Sequence, residues 1–135
     1  MNASFSFKID RAYGLVRIRM AGLFTPADIA AFLEARRRAH AELGCAPNQH
    51  MTLNDLSGMK IQSQEGVAAF RDMLADPAYR SRRLAFVAGR TLARSQLSRA
   101  LDGRDNARFF DSVAEAEAWL FGDAAATPPL RRATG

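Results

Sequence analysis

The segment from Arg108 to Leu120, RFFDSVAEAEAWL, constrains the fold more than any other part of this chain, because a short apolar strand runs into a capped helix with no linker between them. Ser112 and Glu115 have capping-box spacing: the hydroxyl accepts the backbone N–H three residues on, and the carboxylate returns to the N–H of the cap. The helix therefore starts at Ser112. Val113, Ala116, Trp119 and Leu120 then fall on one helical face, which needs a sheet or a second helix to cover it. Such a cassette is the closing unit of a layered α/β domain.

The rest of the chain supplies the layers. Phe5, Phe7 and Ile9 alternate with polar neighbours, as do Val16, Ile18 and Met20 after Arg11-Ala12-Tyr13-Gly14, which predicts a β-hairpin. Thr25-Pro26-Ala27-Asp28 reads as an N-cap, a proline in the first turn and a carboxylate at the positive end of a helix. Ile29, Phe32, Leu33, His40 and Leu43 share the inner face of that helix, and Gly44 stops it. A third strand is expected near His50 to Leu56, followed by a loop from Ser57 to Gln62. Ser63 then caps a helix with Val67, Phe70 and Leu74 inward, ending before Asp76-Pro77. The run Leu84-Ala85-Phe86-Val87-Ala88 has the character of a central parallel strand buried on both faces. Thr91 opens a helix with Leu97, Ala100 and Leu101 on its buried side and Gly103 at its exit. The order is ββαβαβαβα, an α/β fold with a mixed five-stranded sheet and four helices, its parallel strands joined by right-handed crossovers.

Length supports one such domain. The chain has 135 residues, 48% of them hydrophobic and 24% charged, enough for a single packed core. Residues 1–122 are expected to form that domain. Residues 123–135 carry Pro128-Pro129 and Arg131-Arg132 without apolar periodicity and read as a flexible C-terminal tail. A lone cysteine, Cys45, excludes an internal disulfide framework, and neither a leader pattern nor an 18-residue apolar stretch occurs, so a soluble protein of the cytoplasm is expected. The net charge of +5 comes from 17 arginines and 2 lysines against 14 acidic residues, which makes anionic partners a class to consider. The run Arg36-Arg37-Arg38 is expected to be a solvated helix face. Nucleic acid is disfavoured, since neither a helix-turn-helix pattern nor stacking aromatics accompany the charge.

Four passages together resemble the SpoIIAA-like, or STAS/SEC14-type, group of small bacterial domains over about residues 5 to 122: Gly22-Leu23-Phe24-Thr25-Pro26-Ala27-Asp28, Asn54-Asp55-Leu56-Ser57, Leu84 to Ala88, and Phe109-Phe110-Asp111 through Trp119-Leu120. The resemblance implies a nonenzymatic regulatory domain related to anti-sigma-factor antagonists, with a protein partner. The alternative it implies is a SEC14-like binder of a lipid or other amphipathic anionic small molecule. In the antagonist branch a helix-opening Asp-Ser-Ser-Gly carries a phosphorylated serine. Here Ser63-Gln64-Glu65-Gly66 falls against that motif, with Gln64 at the switch position, so the phosphoswitch serine is not retained. Ser63 is explained as a helix cap.

Signposted chemistry is sparse. Cys45, His40 and His50 have no partners for nucleophilic catalysis assigned by the sequence, with His40 read as a core or edge histidine and His50 as a strand-opening residue. No HExxH, paired CxxC, P-loop or GxGxxG occurs, so no enzymatic activity, cofactor or metal is expected. The candidate site is geometric: ligands of parallel α/β sheets bind beyond the carboxyl ends of the strands, where helix N-termini gather. The third strand is expected to deliver Asp55, Ser57, Lys60 and Ser63 to that edge, and the fourth Arg90, Thr91 and Arg94. Thr91 between two arginines resembles an anion-binding helix start. A carrier is expected to enclose an apolar cavity, a regulator to present an exposed patch over a filled core. A homodimer stays open.

Overall fold

The computed structural model of the protein describes residues 2–46, 48–89, 91–100 and 106–122. Strands β1 (Ser4–Asp10) and β2 (Leu15–Gly22) form the expected hairpin, closed by Gly14 at φ +60, a conformation that suits a residue without a Cβ. Helix α1 (Pro26–Leu43), β3 (Met51–Met59), α2 (Gln64–Ala75), a 3₁₀ turn (Pro77–Tyr79), β4 (Arg83–Val87), α3 (Leu92–Ala100), β5 (Ala107–Phe110) and α4 (Val113–Leu120) follow. The sheet order is β1-β2-β3-β4-β5, antiparallel between the first two strands and parallel thereafter. Parallel strands added always on the same side, through crossovers of one hand, throw their helices onto one face. Helices α1, α2 and α3 accordingly share one hydrophobic cluster with Ile18, Leu56 and Phe86, while Ala116 and Leu120 of α4 cover Leu53, Ala85 and Val87 on the other face.

The caps hold each helix where the sequence set it, with one exchange of roles. Thr25 and Asp28 form the full reciprocal box, the threonine hydroxyl accepting from the Asp28 N–H at 3.2 Å and the carboxylate from the Thr25 N–H at 2.9 Å. At α4 only half of the expected box forms: the Glu115 N–H donates to Ser112 Oγ at 3.2 Å.

Several inner faces are rotated from the expected ones. In α1, Leu33 is exposed, and Arg36 and Ala39 are buried beside Phe32 and Leu43. The solvated-face reading of the arginine run thus holds for Arg37 and Arg38, which pair with Glu34, and fails for Arg36, which reaches the Met73 carbonyl at 3.0 Å and lies 4.0 Å from the Tyr79 ring centroid. In α2 the buried positions are Gly66, Phe70 and Met73, with Val67 and Leu74 half-buried at the margin. In α4, Val113 is exposed and Trp119 half-buried against Phe110, ring centroids 5.6 Å apart. Strand β4 is buried on both faces as its apolar run required, yet β3 holds the central position and extends through Ser57 to Met59 by pairing Gly58 and Met59 with the end of β2. The side chain of Ala100, together with Leu101, Gly103 and the 123–135 segment, lies outside the described residues. No helix among the described residues is long and apolar enough to cross a membrane.

Candidate functional site

The carboxyl ends of β3 and β4 open into a groove of about 320 Å³ between the β3–α2 connection and the start of α3. Its buried lining is Leu56, Met59, Ala88, Ala93 and Leu97, and its walls carry Ser57, Lys60, Ile61, Thr91, Leu92 and Arg94. Two large apolar residues stand out of the rim: Ile61 is 54% and Leu92 74% exposed. Apolar side chains this open cost hydration on a folded surface and gain it back when a partner covers them.

Four of the seven expected site residues therefore meet: Ser57, Lys60, Thr91 and Arg94. Asp55 stands behind the wall, its carboxylate accepting from the Ser57 N–H at 2.9 Å and the Ser57 hydroxyl at 2.6 Å, which fixes the serine at the rim. Ser63 serves α2, accepting from the Gly66 N–H at 3.0 Å. Arg90 lies outside the described residues. Thr91 caps α3 through the Arg94 N–H at 3.2 Å. The Arg94 guanidinium folds back to Asp111 at 2.6 Å and the Ala88 carbonyl at 3.1 Å, so its charge is partly neutralised and its orientation fixed.

The groove owes its shape to a residue that sequence reasoning passed over. Gln62 is buried; its Oε1 accepts from the Phe24 N–H at 3.0 Å, and its Nε2 donates to the carbonyls of Gly22 and Lys60 at 3.0 and 2.6 Å. Its main chain is paired in both directions with the Gln96 side chain at 2.8 Å, tying the connection to α3. A glutamine between a polar loop and an N-cap serine gives no pattern that marks it as buried.

A second polar constellation sits within the core. His50, Thr52 and Asn54, alternate residues at and in the central strand, are buried beneath α1, where Arg36 and His40 descend. The imidazoles of His40 and His50 meet edge to face with centroids 4.6 Å apart, and Ser81 Oγ lies 2.7 Å from Thr52 Oγ1 and 3.2 Å from His50 Nε2. Desolvation pushes both histidines down, His40 to about 4, and Arg36 is likewise lowered by burial against the opposing pull of Asp76. Among the described residues no cluster of three or more His, Cys, Asp or Glu side chains is arranged to hold a metal ion.

No family model matches the sequence, and no curated protein matches it. Solved structures do. A DUF3478-family protein from Shewanella loihica PV-4, itself described as uncharacterized with a SpoIIAA-like fold, superposes with a TM-score of 0.66 over 87% of this chain and 93% of its own, at 16% identity. The chain has the SpoIIAA-like fold. An anti-sigma factor antagonist from Mycobacterium paratuberculosis superposes with a TM-score of 0.57 over 88% of this chain and 94% of its own, at 15% identity. Within this SpoIIAA-like frame Gln64 is the first residue of α2 and Glu65 lies in its first turn, both exposed beside the capping Ser63.

Proposed function

We propose that the chain is a nonenzymatic regulatory domain that binds a protein partner in the groove at the ends of β3 and β4. The observation that carries this reading is the juxtaposition of Ile61 and Leu92, the two most exposed large apolar side chains described, along one groove that Lys60 also lines. An apolar pair with a cationic neighbour suits a segment that presents an aliphatic or aromatic anchor beside a carboxylate. The net charge of +5 favours encounter with such an acidic partner. The likeness to an anti-sigma factor antagonist supports a protein as the partner class. A carrier of lipids is less well supported: the apolar hollow under α1 and α2, lined by Phe24, Phe32 and Phe70, holds about 10 Å³, room for about one water-sized body.

The test is a comparison of what co-purifies with the wild type and with an Ile61→Glu/Leu92→Glu double variant. A defined protein retained by the first and lost by the second, at equal thermal stability, supports the groove. Equal retention by both contradicts it. A copurified small amphiphile found by native mass spectrometry, with no protein partner, favours the carrier.

A further inference from the structure

Between α1 and the start of β4 the core contains a cavity of about 40 Å³, space for about three water-sized bodies. Its polar walls are Arg36 and His40 from α1, Thr52 and Asn54 from β3, and Tyr79 and Ser81 from the α2–β4 connection. Arg36 is 9% and Asn54 3% exposed, yet Arg36 Nε and Asn54 Oδ1 have no hydrogen-bond partner among the described residues. Buried polar atoms without partners are costly and uncommon, and an apolar set of the same volume would serve stability better. The two orphans want opposite things: Arg36 Nε–H an acceptor, Asn54 Oδ1 a donor.

Charge narrows the occupant further. Arg36 is the buried cation of the cavity, and the Asp76 carboxylate approaches its Nη2 only to 3.8 Å, outside hydrogen-bonding distance. Its Nη1 is engaged by the Met73 carbonyl, and Arg80 adds a second positive charge at the mouth. The Thr52 and Ser81 hydroxyls share one 2.7 Å hydrogen bond and Ser81 also meets His50 Nε2, so the pair has at most one proton left for a guest. A guest must therefore be small, anionic and rich in acceptors, and must also carry one proton to donate.

We propose that this cavity binds a small planar oxyanion bearing a proton, of the hydrogencarbonate type, with its charged oxygens toward Arg36 and its O–H toward Asn54 Oδ1. The site is separate from the strand-end groove and does not depend on the partner reading. A formate ion has the same plane and charge but lacks the donor for Asn54, so it binds more weakly. Chloride has neither plane nor donor.

The experiment follows the ring-proton NMR signals of His40 and His50, which flank the site, during titration with hydrogencarbonate, formate or chloride at constant ionic strength. The expected result is a saturable shift with hydrogencarbonate, an affinity about tenfold lower for formate, and no saturable response to chloride. Arg36→Gln lowers the hydrogencarbonate affinity by about tenfold or more. Because loss of a buried arginine could unfold the chain, Asn54→Leu provides the second variant: it fills the cavity with an apolar group, keeps a cooperative melt, and abolishes the shift. No saturable shift in the folded wild type, an equal response to chloride, or binding that survives Asn54→Leu overturns the proposal, leaving ordered water as the occupant.

Discussion

Arg94 and Asp111 join the first turn of α3 to the turn after β5, Nη1 to Oδ1 at 2.6 Å, while the same nitrogen reaches the Ala88 carbonyl at 3.1 Å and the guanidinium lies 5.3 Å from the Phe109 ring centroid. The arginine thus clamps two strand ends. Arg94→Gln is expected to cost about 0.5–1 kcal/mol, the upper part of the range for exposed pairs because the geometry is fixed on three sides. Thermal melts check this. A midpoint unchanged from wild type would mean that the clamp does not form in solution.

The Gln62 knot is expected to matter more. Gln62→Leu leaves the buried Phe24 N–H without its acceptor, while the Gly22 carbonyl keeps the Lys60 N–H at 3.2 Å, and should cost about 1–3 kcal/mol, read from urea unfolding. A loss below about 1 kcal/mol would show that water replaces the amide and that the groove wall is not held by it.

Acid should weaken the fold through half-buried His40 and buried His50. The folded pKa of His40, about 4, lies below its ordinary 6.5, so the unfolded chain binds the proton first. The stability of neutral His40 is fully present above pH 6.5 and is lost progressively as pH falls from 6.5 towards 4. His50 shifts in the same direction. Melting midpoints should fall across that window, and less steeply in His40→Gln. A flat profile in the wild type would contradict the desolvation of the histidine pair.

Trp119 is half-buried, packed on Phe110 and flanked by the guanidinium groups of Arg83 and Arg108 at 5.3 and 5.5 Å from its ring centroid. Trp119→Ala is therefore expected to cost about 2–3 kcal/mol, at or below the lower end of the range for a fully enclosed aromatic. Chemical denaturation measures it. A cost near 5 kcal/mol would mean that the ring is enclosed more completely than its exposure indicates.

What was legible in the sequence follows what local chemistry dictates. Thr25, Ser63 and Ser112 mark helix starts because a short hydroxyl side chain meets an unpaired N–H within the next turn, and no distant residue can change that. The alternation of Phe5, Phe7 and Ile9 marks a strand for the same local reason. Helix rotation was less legible, since Leu33 and Val67 fit an apolar stripe as well as Ala39 and Gly66 do, and the choice is made by what packs opposite. The two polar clusters were illegible. Arg36 sits in a run of arginines, and Gln62 in a polar loop; each is buried because residues about 40 positions away supply its partners, Met73 for the one and Gly22 for the other. Of the site residues, the strand ends delivered Ser57, Lys60, Thr91 and Arg94 to one groove, but Asp55 and Ser63 are occupied by their own neighbours.

The central claim, that the strand-end groove receives a protein partner, is tested most directly by placing a photo-crosslinking side chain at Leu92, and separately at Ala118 on the exposed side of α4, in the cells that make the protein. The expected result is a specific protein adduct from position 92, weakened by Ile61→Glu and absent from position 118. An adduct formed at Ala118 and not at Leu92 would place the partner on the opposite face of the sheet and contradict the account.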